Sequence, residues 1–275
     1  MVLINGESRH VIEISDRGFQ YGDGLFETIA VFDRKPLFWQ QHLDRLLSGC
    51  QALGIPAPAP AVLLDEIRQL CHHAAPRAVL KIIITRGSGG RGYRLPDHPV
   101  STRVLALHPY PCHPDSCHLE GIRLRLCKMR LGHNRLLAGL KHLNRLEQIL
   151  ARAEWDDETI QEGLLCDQHG HIVEGTMSNI FLVVDDKLVT PRLDRCGVAG
   201  IVRRWIFESG FDVTETRVDM AMVDRASELF VTNSIIGIWP VQRFEARSLV
   251  VGALTRRLQT AYTAACIKQI DEVMP

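Results

Sequence analysis

Val2-Leu3-Ile4 is a short apolar run that breaks at Asn5-Gly6. An Asn-Gly pair suits the centre of a two-residue hairpin, where both residues take positive φ. Phe26 to Phe32 is rich in aromatic and β-branched residues and ends at Asp33-Arg34-Lys35-Pro36, which predicts a strand and its turn. Trp39, Leu43, Leu46, Leu47, Cys50 and Leu53 then recur at helical spacing, and Gly54 is a natural stop. A second helix carries Leu63, Leu64, Ile67, Leu70 and Cys71, and strands are expected at Val79–Ile84 and Val104–Leu107. In the second half, Ile122, Leu124 and Leu126 alternate with Arg123, Arg125 and Cys127 as in a half-buried strand. Helical spacing returns near Leu143, Leu146, Ile149 and Leu150. Strand-like runs follow at Gly163–Cys166, His171–Val173, Asn179–Val184 and Lys187–Thr190. A helix from Ile201 to Ser209 stops at Gly210, and a last helix is expected from Leu249 to Ile267. Clustered strands with segregated helices predict an α+β fold, a mixed α/β chain without regular alternation.

The stretch from Pro109 to His118 is rich in Pro, His and Cys and has no periodicity. It predicts an interdomain linker over 109–120, joining an N-terminal α/β domain (1–108) to a C-terminal domain (121–275). The length of 275 residues, 46% hydrophobic, suits two cores better than one. Lys+Arg and Asp+Glu are both 32, and no basic arm or stripe appears, which argues against nucleic acid as a partner. No basic stretch opens the chain and no run nears the roughly 20 apolar residues of a membrane span, so no membrane association and a cytoplasmic location are expected. The 8 cysteines are scattered, with no Cys-x-x-Cys, and read as reduced thiols. The histidines lack ligand spacing with them, so no metal is expected.

Gly87-Ser88-Gly89-Gly90-Arg91-Gly92 satisfies the G-x-G-x-x-G pattern of dinucleotide-binding turns and follows a strand. That reading requires a helix to start there, because helix N-terminal amides hold the pyrophosphate. Pro96 and Pro99 follow instead and block one. The glycines therefore predict an open loop, on which Arg86, Arg91 and Tyr93 could line a pocket for an anionic ligand.

Three clusters bear chemistry. Lys141 sits in the apolar, small-residue context Leu137-Ala138-Gly139-Leu140. Desolvation there would favour a neutral, nucleophilic amine, although the same pattern alone fits a snorkelling surface lysine. Glu174 closes an apolar strand ahead of Gly175-Thr176-Met177-Ser178, where a carboxylate could pair with a protonated ring nitrogen or simply finish a turn. Gly197-Val198-Ala199-Gly200 leads directly into a helix, so the amides of Ile201 and Val202 could face a phosphate.

These clusters follow Arg17-Gly18-Phe19-Gln20-Tyr21-Gly22-Asp23-Gly24-Leu25-Phe26-Glu27-Thr28 and His42-Leu43-Asp44-Arg45-Leu46 in a fixed order. The set resembles the class IV aminotransferase family of fold type IV pyridoxal-phosphate enzymes, over about residues 5–241. Leu137 to Gln148, Arg86 to Tyr93 and Thr190 to Asp194 most resemble its aminodeoxychorismate lyase branch. The resemblance implies a homodimer of two-domain subunits with pyridoxal 5'-phosphate between the domains. It implies that Lys141 carries the cofactor covalently, Glu174 partners the ring nitrogen, and Arg45, Ile201, Val202 and Ser234 hold the phosphate. Thr28 is a further candidate catalytic residue, and Arg91 and Tyr93 are candidates for the substrate. The implied reaction is an elimination yielding 4-aminobenzoate and pyruvate from 4-amino-4-deoxychorismate, a step of folate biosynthesis. The alternative is a branched-chain or D-amino-acid transaminase of the same fold. Branched-chain aminotransferases of the family carry a tyrosine shortly after their lysine, whereas Leu146 stands at about that position here.

Overall fold

The computed structural model describes residues 1–271. Two compact units divide the chain, and neither is continuous in sequence. The first comprises Met1–Pro111, Leu140–Asn144 and the chain from Cys266; the second comprises Cys112–Gly139 and Arg145–Ala265.

The first unit contains β1 (Val2–Ile4), β2 (Glu7–Ser8), α1 (Arg17–Tyr21), β3 (Gly24–Phe32), β4 (Lys35–Pro36), α2 (Trp39–Leu53), α3 (Pro60–Cys71), β5 (Arg77–Thr85) and β6 (Thr102–Pro109). Asn5 and Gly6 both have positive φ, the hairpin turn expected of the pair. One six-stranded sheet runs β2-β1-β6-β5-β3-β4, antiparallel at every pairing. Alternation along β3 and β5 sends Leu25, Ile29, Val31, Leu80, Ile82 and Ile84 into a core with Leu43, Leu46, Leu63, Ile67 and Leu70 of α2 and α3. The other face of the same strands carries Phe26, Thr28 and Lys81. The loop after β5 has positive φ at Gly87, Gly89, Gly90 and Gly92 and forms no helix, as its prolines required.

The second unit contains α4 (Ser116–Leu119), β7 (Ile122–Leu131), α5 (Leu146–Arg152), β8 (Glu162–Asp167), β9 (Ile172–Gly175), β10 (Asn179–Val184), β11 (Lys187–Pro191), α6 (Ile201–Glu208), β12 (Val213–Thr216), α7 (Met220–Arg225), β13 (Glu228–Asn233), β14 (Gly237–Phe244) and β15 (Arg247–Ser248). Helix α8 (Ala253–Asp271) starts in this unit. Its nine-stranded sheet runs β12-β11-β10-β13-β14-β7-β8-β9, with β15 paired to β14. Strands β8 and β10 are buried along their whole length, which explains why they read as continuous apolar runs and not as alternation. Glu228 at the start of β13 accepts from Thr255 N at 2.8 Å and from its hydroxyl at 2.6 Å, and so holds the first turn of α8.

Two expectations need correction. Leu146, Ile149 and Leu150 are 72%, 60% and 57% exposed, so the apolar stripe of α5 faces outward, and Ala151 is its buried residue. Leu143 lies outside that helix, because its amide donates to Gly24 O at 2.9 Å as part of an added edge beside β3. Arg86 is not available to a ligand. It is buried, makes two bonds to Asp23 at 2.8 and 2.9 Å, and donates to Leu53 O and Gly54 O.

None of the eight cysteines forms a disulfide among the described residues, and Cys50, Cys71, Cys117, Cys127 and Cys166 are buried. No helix among the described residues is long and apolar enough to cross a membrane.

Candidate active site

In the first unit, Leu140–Asn144 lies along the N-terminal half of β3. Phe26 N donates to Lys141 O at 3.0 Å, and Leu25 bridges His142 in antiparallel fashion. This register puts the side chains of Phe26 and Lys141 on one face, and the Lys141 ammonium lies 4.3 Å from the centre of the Phe26 ring. Thr28 follows two residues along β3 and points the same way. Directly opposite Thr28 in the ladder stands Lys81, whose ammonium lies 5.7 Å from the same ring centre. Lys81 is half-buried, and its ammonium makes no hydrogen bond or ion pair among the described residues. Sequence reasoning missed it. Its signal was one charged residue in the otherwise apolar run Ala78 to Ile84.

Arg45 is not a solvated charge. Glu27, on the opposite face of β3 from Lys141, takes Arg45 Nε at 2.8 Å and Nη2 at 2.5 Å, and His42 Nδ1 lies 2.6 Å from the same carboxylate. Burial works to raise the Glu27 pKa, but the charges and hydrogen bonds of Arg45 and His42 bring it down to about 2. Burial lowers the His42 pKa even though the Glu27 carboxylate works to raise it.

Arg91 and Tyr93 lie on the exposed glycine loop. Tyr93 meets Tyr21 edge-on at 5.6 Å; the Arg91 carbonyl accepts from Arg94 N at 3.3 Å, and its guanidinium makes no hydrogen bond or ion pair among the described residues. The loop itself is tied down by Arg17, which pairs with Asp23 at 2.9 Å and donates to Gly92 O at 3.0 Å.

In the second unit, Glu174 is buried near the end of β9. Val198 N donates to its Oε2 at 2.7 Å, and Gln148 Nε2 reaches Oε1 at a long 3.4 Å. Gly197 makes this approach possible: its φ is +90°, and a Cβ there would lie 2.7 Å from Leu193 and 2.9 Å from Val173. Asn179 holds the next residues, giving its amide to Val198 O at 2.8 Å and taking Gly200 N at 3.1 Å. Helix α6 then begins at Ile201 with no side-chain cap and no acidic residue in its first turn. Its leading amides are left for a ligand, and the macrodipole favours an anion. Thr232 pairs with Asn179 in the β10–β13 ladder, so both side chains share one face, and the buried Thr232 hydroxyl has no hydrogen-bond partner among the described residues. Ser234 follows in the turn after β13, half-buried and without a hydrogen-bond partner among the described residues. In the second unit, Glu174 and Asn179 thus both hold the segment that leads into the uncapped start of α6 at Ile201 and Val202. The first unit groups Lys141 with Thr28 and Lys81, and holds Arg45 on Glu27.

The family model described as amino-transferase class IV matches residues 24–244. Over 269 residues the chain is 36% identical to the aminodeoxychorismate lyase of Vibrio harveyi, covering 94% of this chain and 98% of that protein. It is 29% identical to a putative branched-chain-amino-acid aminotransferase of Methanocaldococcus jannaschii, covering 98% and 99%. Among solved structures, the 4-amino-4-deoxychorismate lyase of Pseudomonas aeruginosa superposes with a TM-score of 0.91 at 44% identity, covering 94% of this chain and 97% of that one.

Proposed function

The chain belongs to the class IV aminotransferase family, and from that premise we propose that it is a pyridoxal-phosphate-dependent lyase converting 4-amino-4-deoxychorismate to 4-aminobenzoate and pyruvate. The likeness to the Pseudomonas aeruginosa lyase carries this reading. The donor set fits the cofactor: a lysine amine for its aldehyde, a buried carboxylate for its ring nitrogen, and an uncapped helix start for its phosphate. When bound, pyridoxal phosphate supplies a protonated ring that takes up the electron pair left by a departing proton.

The protein's own groups do the rest. Lys141 would hold the cofactor through its amine, and the same Nζ is the base that would take the proton from the substrate carbon bearing the amine. Its Nζ can return a proton to the departing enolpyruvyl group, which becomes pyruvate as the ring aromatises. Glu174 keeps the ring nitrogen protonated, with Val198 N fixing the carboxylate. The amides of Ile201 and Val202 and the Ser234 hydroxyl in the second unit would hold the phosphate, a role also proposed for Arg45 of the first unit, whose guanidinium Glu27 orients. Thr28 presents a hydroxyl on the Lys141 face. The substrate brings two carboxylates, and the unpaired Lys81 on that face has a better geometric claim to one of them than the exposed Arg91 or Tyr93.

A lyase needs no keto-acid acceptor, because each cycle returns the cofactor to its starting form. With aminodeoxychorismate made in situ by its synthase, equal amounts of pyruvate and 4-aminobenzoate should appear over many turnovers without any acceptor. A single turnover that resumes only on adding a keto acid would sink the reading. A homodimer in the cytoplasm fits the same reading: cysteines that form no disulfide among the described residues suit a reducing compartment, and α5 turns Leu146, Ile149 and Leu150 to solvent. Sedimentation equilibrium at the mass of one chain would rule the dimer out.

A further inference from the structure

We propose that Glu162 is the positioning residue for Glu174, and that it acts by fixing the loop between Glu174 and Asn179. The inference rests on the reading of Glu174 given above. Glu162 opens β8 and is 1% exposed, yet no cation pairs with it among the described residues. Five donors take the place of a cation. Oε1 accepts from Gly163 N at 2.8 Å, Thr176 N at 3.0 Å and Thr176 Oγ1 at 2.6 Å. Oε2 accepts from Met177 N at 3.2 Å and Ser178 Oγ at 2.8 Å. Four of the five come from Thr176, Met177 and Ser178, so the loop is wrapped around one carboxylate as around a bound anion.

The two ends of this loop clamp a single segment. Glu174 takes Val198 N, while Asn179 takes Gly200 N and gives its amide to Val198 O. Glu162 therefore governs, through three residues, both the carboxylate for the ring nitrogen and the start of α6. Gly175 is what lets it come so close: a Cβ there would lie 2.9 Å from the Glu162 carboxyl and 2.4 Å from Ser178 Oγ. A carboxylate is needed because it accepts at both oxygens. A glutamine would turn its NH2 toward at least one backbone amide that can only donate, Met177 N on one side or Gly163 N and Thr176 N on the other, leaving it unsatisfied or forcing the loop to move.

Three readouts test this in Glu162→Gln beside Glu174→Gln. Hydrogen exchange of the amides at 176–178, measured on cofactor-free protein, should quicken in Glu162→Gln. Pyridoxal-phosphate affinity should fall roughly tenfold, the effect of losing one or two buried hydrogen bonds. The pH dependence of the bound cofactor's absorbance should move toward that of Glu174→Gln, a change that loss of stability alone does not produce. Thr176→Val combined with Ser178→Ala removes only the two hydroxyl donors and should shift all three readouts the same way by less. A folded Glu162→Gln protein with wild-type exchange, affinity and absorbance profile overturns the proposal. If Glu162→Gln does not fold, a double variant indistinguishable from wild type overturns it equally. Should Glu174→Gln itself match wild type, the reading of Glu174 falls and this inference with it. An impaired Glu174→Gln beside a normal Glu162→Gln removes the inference alone.

Discussion

Lys81 and Arg86 stand five positions apart and meet opposite fates. Arg86 closes on Asp23 and two carbonyls, and all its donor groups are engaged. Lys81 keeps an unpaired ammonium beside the ring on which Lys141 also rests. Sequence alone could not rank them, because partners such as Asp23 and Phe26 come from a strand far along the chain. Lys141 and Glu174 were legible only through the family motif, since the bare pattern fitted bland roles just as well. The two lysines on one face can be told apart chemically. Borohydride reduction of the cofactor-loaded protein should fix a pyridoxyl group on Lys141 and leave Lys81 unlabelled, as peptide mass analysis would read. Lys81→Met should raise KM about 10- to 100-fold, the effect of losing one charge-assisted bond, with a smaller change in kcat. A label on Lys81, or an unchanged KM in Lys81→Met, would remove these roles.

At the scale of elements, periodicity found what has a single buried face and missed what has none. Helix α2 was readable at both ends because Trp39, Leu43, Leu46 and Cys50 all enter one core and Gly54 takes a positive φ after it. Strand β13 escaped notice because polar Glu228, Thr232 and Asn233 interrupt a run that is buried nearly throughout. The short α7 is marked by its Asp219 cap, which accepts from Met222 N at 2.8 Å, and not by a stripe. The apolar spacing of α5 was genuine, but it described an outward face. Between β3 and α2, the Glu27–His42–Arg45 group ties two elements through buried charge, and it carries a pH signature. His42 has a lowered pKa when folded, so the unfolded chain gains the proton first, and stability falls as pH drops below the usual histidine value of 6.5. Glu27 is depressed from 4.5 to about 2, so its contribution is full above 4.5 and is lost as pH falls toward 2. Glu27→Gln should destabilise the protein by roughly 3–5 kcal/mol near neutral pH, the penalty of a broken buried ion pair. The gap from wild type should narrow between pH 4.5 and 2 in thermal melts. A gap that stays constant across that range would mean that Glu27 is not ionised in the native state.

For the whole molecule, the α+β architecture was legible from the clustering of strands, whereas the return of Leu140–Asn144 to the first unit was not. A five-residue excursion has no composition of its own; it is defined by hydrogen bonds to Gly24 and Phe26. That excursion is what puts Lys141 on the Phe26–Thr28–Lys81 face, and this face bears on the choice between lyase and transaminase. Both reactions begin with a substrate amine at the lysine and loss of a proton, so Lys141 and Glu174 do not distinguish them. Leaving-group chemistry does. A simple amino acid has nothing to expel from the neighbouring carbon, whereas aminodeoxychorismate expels enolpyruvate and becomes aromatic. Lys81 and Thr28 place a cation and a hydroxyl beside the lysine, which suits a second anionic group more than the aliphatic side chain of a branched-chain substrate. Leucine or D-alanine supplied with 2-oxoglutarate should therefore yield glutamate far more slowly than aminodeoxychorismate yields pyruvate at the same enzyme concentration. Coupled assays run in parallel decide it. Glutamate formation at the faster rate, with no 4-aminobenzoate from aminodeoxychorismate, would make the protein a transaminase that shares the lyase scaffold.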